Sequence, residues 1–145
     1  VRSGDGWQPF FPNARLSISS AARASFDSER PDGDVGAAVQ QLFDAGLVDT
    51  FDDGDEIAPG LVAEWTGMHH PGHCAFHVGD AATFVGHLAV SPLHLATGPC
   101  PAQHAEPDAA WRWLQSVIAD PDRIVIGPLW PSPGALRWRD GRPEA

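Results

Sequence analysis

The sequence predicts one α+β domain over residues 1–145, with a helical N-terminal half followed by a small antiparallel sheet carrying one packed helix. Three observations predict it. Val35, Val39, Leu42 and Phe43 form an apolar stripe at helical spacing. Residues 73–78 and 81–90 read as two strands joined by Gly79-Asp80, a two-residue hairpin turn. Trp111, Leu114 and Ile118 form a second helical stripe, with Ala110, Trp113 and Val117 beside it. At 145 residues and 43% hydrophobic, the chain is long enough to bury one real core. Its 15 Gly and 14 Pro predict short elements and much loop.

In order, Leu16 and Ile18 alternate with polar residues, which predicts a short strand over 14–20. Residues 21–33 are polar and end in Pro31-Asp32-Gly33, a turn. Asp34 caps a helix running to about residue 45, and Gly46 stops it. Leu47, Val48, Thr50 and Phe51, then Asp52-Asp53-Gly54-Asp55, then Glu56-Ile57 predict a small hairpin with an acidic tip. Pro59 suits the first turn of a short helix through Leu61, Val62 and Trp65. In the second half, residues 93–97 form a possible third strand, and Gly98-Pro99-Cys100-Pro101 is loop. Pro107 and Asp108 open the second amphipathic helix, Asp120-Pro121 stops it, and residues 124–126 read as a buried strand. From Gly127 to Ala145 the chain reads as an extended Trp/Arg/Pro tail.

The order helix, Ala-Gly-Leu-Val, acidic hairpin over residues 34–66 resembles the end of a winged-helix unit. DNA-binding winged helices carry Arg or Lys on the recognition helix and wing. Residues 34–66 hold acids and no basic residue, so the resemblance implies a protein- or peptide-binding version. Fold shape alone does not fix function.

Composition closes off several chemistries. There is no Lys, hence no phosphate-loop lysine and no lysine Schiff base. There is no Tyr to act as acid, base or nucleophile. A net charge of -10 repels phosphate backbones and anionic membrane surfaces. No apolar run is long enough to span a bilayer, and the first residues lack a signal core, so a cytoplasmic location is expected. No Gly-x-Ser-x-Gly elbow or His-Glu-x-x-His is present. The charge is also uneven. Residues 1–110 hold four Arg against fifteen acids, while residues 111–145 hold five Arg against four acids.

All seven His lie between His69 and His104, with Cys74 and Cys100 in the same window. Zinc asks for about four converging His, Cys or carboxylate ligands. The candidate set is His70, His73, Cys100 and His104, for zinc or iron. Spacing works against it. On a strand, His73 and His77 are roughly 13 Å apart, and in a simple meander residues 69–73 lie some 20 Å from residues 98–104. With Val78 opposite Ala81 in the hairpin, Thr83 shares a face with Phe76. The plain expectation is a set of surface and half-buried histidines on a sheet. The sequence alone therefore predicts a non-catalytic accessory protein, without cofactor, that binds a protein or peptide partner through Trp130, Arg137, Trp138 and Arg139. A metal-dependent enzyme or metal-binding protein built on the 69–104 cluster is the alternative.

Overall fold

The computed structural model describes residues 11, 13–29, 32–99, 101–130 and 134–144, together with the backbone of residues 2–3 and 6–7. Residues 2–3 (β1) and 6–7 (β2) form a minimal antiparallel pair. Strand β3 (Leu16–Ser19) runs parallel to β4 (Val48–Phe51). Two helices connect them, α1 (Ser20–Ser28) and α2 (Gly33–Asp44). Beyond β4 the chain forms a seven-stranded sheet. Its members are β5 (Glu56–Ala58), β6 (Leu61–Trp65), β7 (Cys74–Val78), β8 (Ala82–Phe84), β9 (Ile124–Ile126), β10 (Ala135–Arg139) and β11 (Arg142–Glu144). The strands sit in sequence order and pair antiparallel except β8 with β9, which are parallel. A parallel pair needs a crossover. Here it consists of a 3₁₀ turn at Gly86–Ala89, the short helix α3 (His94–Thr97), a 3₁₀ turn at Pro101–Gln103 and α4 (Pro107–Ile118).

Helix α4 follows from its sequence. Pro107 sits at its first turn, where no N–H is needed, and Asp108 meets the positive end of the helix dipole. Ala110, Leu114 and Val117 are buried on one stripe. They pack with Val85, Leu88, Leu95, Val125 and Trp130 into the main core.

The strand register gives the sheet two unlike faces. Val62, His77, Thr83, Val125 and Leu136 are opposite one another in successive strands and lie toward α4, with Glu64 and Ala75 on the same side. Leu61, Phe76, Val78, Phe84, Ile124 and Ile126 line the other face.

Several expectations are corrected. The winged-helix half is not there: the molecule is sheet-rich, and the 34–66 segment leads into a mixed seven-stranded sheet. The helix expected after Pro59 is strand β6, because it has partners on both sides in β5 and β7, and pairing outweighs a weak helical spacing. The polar stretch after Ser20 is helix α1. The Ser19 hydroxyl caps it by accepting from the Ala22 N–H at 3.0 Å, and the Phe26 and Phe43 rings join it to α2 at 5.1 Å. The expected third strand is α3. In the β7–β8 hairpin Val78 faces Ala82, not Ala81. A one-residue slip moves every side chain to the other face, so Phe84 joins Phe76, and Thr83 joins His77. Residues 135–139 and 142–144 of the tail are strands. Among the described residues no helix is long and apolar enough to cross a membrane.

Candidate metal centre

Five histidines meet at one end of the sheet. His69, His70 and His73 come from the loop between β6 and β7, His87 from the 3₁₀ turn after β8, and His104 from the segment before α4. The loop closes on itself: Thr66 and Gly67 N–H both donate to the His73 carbonyl, and His73 N–H donates to the His70 carbonyl. It is held from outside as well. Gly72 lies so close to α1 that a Cβ would meet Ala22 at 2.5 Å, and Ser19 Oγ donates to the Gly72 carbonyl at 2.8 Å. The last histidine arrives because Ala105 and Glu106 N–H donate to the carbonyls of His69 and Met68 at 3.3 and 3.0 Å.

His69 is the centre. Its ring centroid lies 5.4 Å from His70, 5.6 Å from His73, 5.3 Å from His87 and 5.3 Å from His104. Two imidazoles bound to one zinc at Zn–N of about 2.0–2.1 Å have centroids about 5 Å apart. The spacing therefore suits nitrogen ligation. His69 Nδ1 is buried without a hydrogen-bond partner, and an unsatisfied buried nitrogen asks for an explanation. Among the described residues, no three His, Cys, Asp or Glu side chains converge on one point as they stand.

His73 has a different role from the rest. Its Nε2 accepts from the His87 backbone N–H at 3.1 Å, so the proton sits on Nδ1, which faces Thr66 Oγ1 at 2.7 Å. Both ring nitrogens are engaged. The ring pins the 3₁₀ turn, and it fits only because residue 86 is glycine. Gly86 has φ +54°, and a Cβ there would lie 2.5 Å from His73 Nε2. Burial, then the neighbouring histidines, push His73 down to about 4. Burial followed by repulsion from other histidines also lowers His69 and His70. At neutral pH these three rings are uncharged, the form that binds metal.

The expected metal ligands fall as follows. His70, His73 and His104 all come together around His69, against the separation a meander would impose. The parallel β8–β9 crossover returns the 101–106 segment to the loop. Cys100 lies outside the described residues. His69 and His87, outside the expected set of four, complete the cluster: His69 shares the loop of His70 and His73, and His87 comes from the separate 3₁₀ turn. His70 is exposed, with Nδ1 accepting from the Gly72 N–H at 3.0 Å. Cys74 carries a free thiol, raised by burial.

Of the expected partner-binding residues, Trp130 is buried, and its indole N–H donates to the Ala89 carbonyl at 2.7 Å. A Cβ on Gly127 would lie 2.2 Å from that indole. Trp138 packs against the core. Arg137 and Arg139 hydrogen-bond to the Asp122 carbonyl and carboxylate, respectively.

His77 stands apart, under α4. Its Nε2 meets Glu64 Oε2 at 2.7 Å and its Nδ1 meets Thr83 Oγ1 at 3.0 Å. Trp113 Nε1 donates to Glu64 Oε1 at 2.8 Å.

The sequence matches no family model and no curated protein. The fold does have solved counterparts. A hydrolase of the beta lactamase superfamily, AbOPH, aligns with TM-score 0.70 and 19% identity over 92% of this chain and 54% of its own. A probable metal-dependent hydrolase from Staphylococcus aureus aligns with TM-score 0.69 and 15% identity over 89% and 50%. AidC, a dizinc quorum-quenching lactonase, aligns with TM-score 0.65 and 15% identity over 94% and 55%. The chain thus has the fold seen in half of these hydrolases and spans about half their length. This likeness overturns the expectation of a non-catalytic, winged-helix-like interaction protein: the shared architecture is one that hydrolases use.

Proposed function

We propose that the histidine cluster is the metal site of a metal-dependent hydrolase. The observation that carries this reading is the His69 ring, its Nδ1 buried and unpartnered in the midst of four other imidazoles at ligand-like spacing. The ligands are assigned to His69, His87 and His104, which rotate about their side-chain bonds to converge. Three protein nitrogens with a fourth position open is the donor set of catalytic rather than structural zinc. A metal so held supplies an acidified bound water and a Lewis acid for a polarised carbonyl or phosphoryl oxygen.

The chain's own residues prepare that site. His73 is a positioning residue: it accepts the His87 N–H and so fixes the backbone from which the His87 ring projects. Uncharged His69 offers a ring lone pair to the centre at neutral pH, while the two ring nitrogens of His73 are taken up in holding the turn. Exposed His87 opens the cluster to solvent, while buried His104 anchors its inner side. His70, exposed and beside His69, can carry protons to and from water at its Nε2.

The test has two parts. Metal analysis of the untagged chain, grown with zinc, reads the site itself. Assay of the loaded chain against esters, lactones and phosphotriesters reads the activity. Zinc-dependent turnover that falls at least ~100-fold in His69→Ala supports the proposal. Bound zinc without turnover on any substrate rejects the hydrolase and keeps the site, and absence of bound metal rejects both.

A further inference from the structure

A groove of about 170 Å³ runs from the histidine cluster along helix α1. Its walls are His70 and the α1 residues Ala22, Ser25, Phe26 and Glu29. Those four stand at i, i+3, i+4 and i+7, so they form one stripe of the helix. Helix α1 buries none of its residues fully, which leaves the stripe open to a ligand. The near end is fixed at the cluster, because Ala22 meets the loop at Gly72, whose N–H donates to His70 Nδ1. The far end is Glu29, seven residues on, or ~10 Å along the helix axis.

The two ends differ in character. Ala22 and the half-buried Phe26, its ring held against Phe43, make the wall apolar from the cluster outward. The far end is electronegative for two independent reasons. Glu29 brings a carboxylate, and α1 ends there with the negative pole of its dipole and no basic residue in its last turn. Asp27, off the stripe, is paired with Arg23 at 2.8 Å, whereas among the described residues no basic side chain pairs with Glu29.

We propose, resting on the hydrolase reading above, that this groove binds the amine-bearing arm of the substrate. An apolar chain lies along Ala22 and Phe26, and its terminal ammonium donates to the Glu29 carboxylate, with Ser25 Oγ beside it as a second acceptor. The scissile group then sits at the cluster. The groove is smaller than a complete ligand pocket of roughly 300–1,000 Å³, so it takes one arm of the substrate and not the whole. An arm ending in carboxylate or phosphate is disfavoured by Glu29 and by the net charge of -10.

The binding half of the test needs neither metal nor turnover. Hexylammonium and hexanol are titrated separately into the isotope-labelled, metal-free full chain, and backbone amide shifts are followed. Hexylammonium should move the amides of Ala22, Ser25, Phe26, Glu29 and His70 and bind at least ~5-fold more tightly than hexanol. That margin should vanish in Glu29→Gln and at about 0.5 M salt. Asp27→Asn removes the same charge from α1 outside the groove and should keep the margin. The catalytic half compares the para-nitrophenyl esters of ω-aminooctanoic and nonanoic acid on the zinc-loaded chain. The amine ester should have a kcat/KM at least ~5-fold higher, and Glu29→Gln should level the two by acting on the amine ester alone. Amine binding in the groove without turnover of either ester keeps the groove and rejects the hydrolase. Equal kcat/KM for the two esters keeps the hydrolase and overturns the proposal. Hexylammonium that binds no better than hexanol, or a preference that survives Glu29→Gln, overturns it as well.

Discussion

His77, within strand β7, and the five histidines at the end of the sheet are treated in opposite ways. His77, under α4, has a carboxylate on one nitrogen and a hydroxyl on the other, and the carboxylate is itself held by Trp113. The cluster at the sheet end packs imidazole on imidazole, and the charges lowering His69, His70 and His73 are those of other histidines. The first arrangement satisfies every donor and acceptor and so stabilises a sheet-to-helix contact. The second leaves a buried nitrogen on His69 unpartnered. Residue type is the same, and what surrounds it decides whether a histidine serves as structure or as a ligand.

The sharpest break in this comparison is at Gly86. Alanine there forces a side chain into the left-handed region and onto His73 Nε2. The cost should be about 3 kcal/mol or more, read by urea denaturation. Gly79→Ala, also at positive φ but with open space, should cost less.

Acid should act on the cluster next. Unfolded histidine titrates near 6.5, while folded His73 is down at about 4. The unfolded state therefore takes up protons first as pH falls. The stability His73 contributes is complete above about 6.5 and is lost between there and 4, at about 3 kcal/mol. His69 and His70 shift in the same direction and add to the loss. Denaturation midpoints at pH 7.5, 6, 5 and 4.5 measure it, and a flat profile contradicts it.

Glu64→Gln should have a smaller effect, about 1–2 kcal/mol, through its bonds to His77 and Trp113, and should leave metal binding intact. His69→Ala should do the reverse, changing stability by about 1 kcal/mol or less in the metal-free chain while removing the metal.

Where the sequence carried local chemistry, the fold was legible. Pro107 and Asp108 announced α4, and Gly79-Asp80 announced the β7–β8 hairpin. Helix α1 was not legible, because it has no apolar stripe and depends on the Ser19 cap and on Phe26 against Phe43. Strand β6 was misread because Leu61, Val62 and Trp65 fit helical spacing as well as a strand, and its neighbours in the sheet decided the matter. The hairpin turn was found but its register slipped by one, since both faces mix apolar and polar residues. At the site, sequence gathered the histidines into one window but kept them apart in space. The parallel pairing of β8 with β9, a tertiary fact, brings His104 to His69. Trp130 read as an exposed anchor because its tail is rich in Pro and Arg, yet Gly127 leaves room for its indole in the core.

Calorimetric titration of zinc into the metal-free chain at pH 7.5 tests the central claim most directly, with His69→Ala and Glu64→Gln alongside. The result expected is about one zinc per chain, released by chelator, absent in His69→Ala and unchanged in Glu64→Gln. A chain that takes up no zinc, or that binds it equally well after His69→Ala, would contradict the assignment of the cluster as a metal centre.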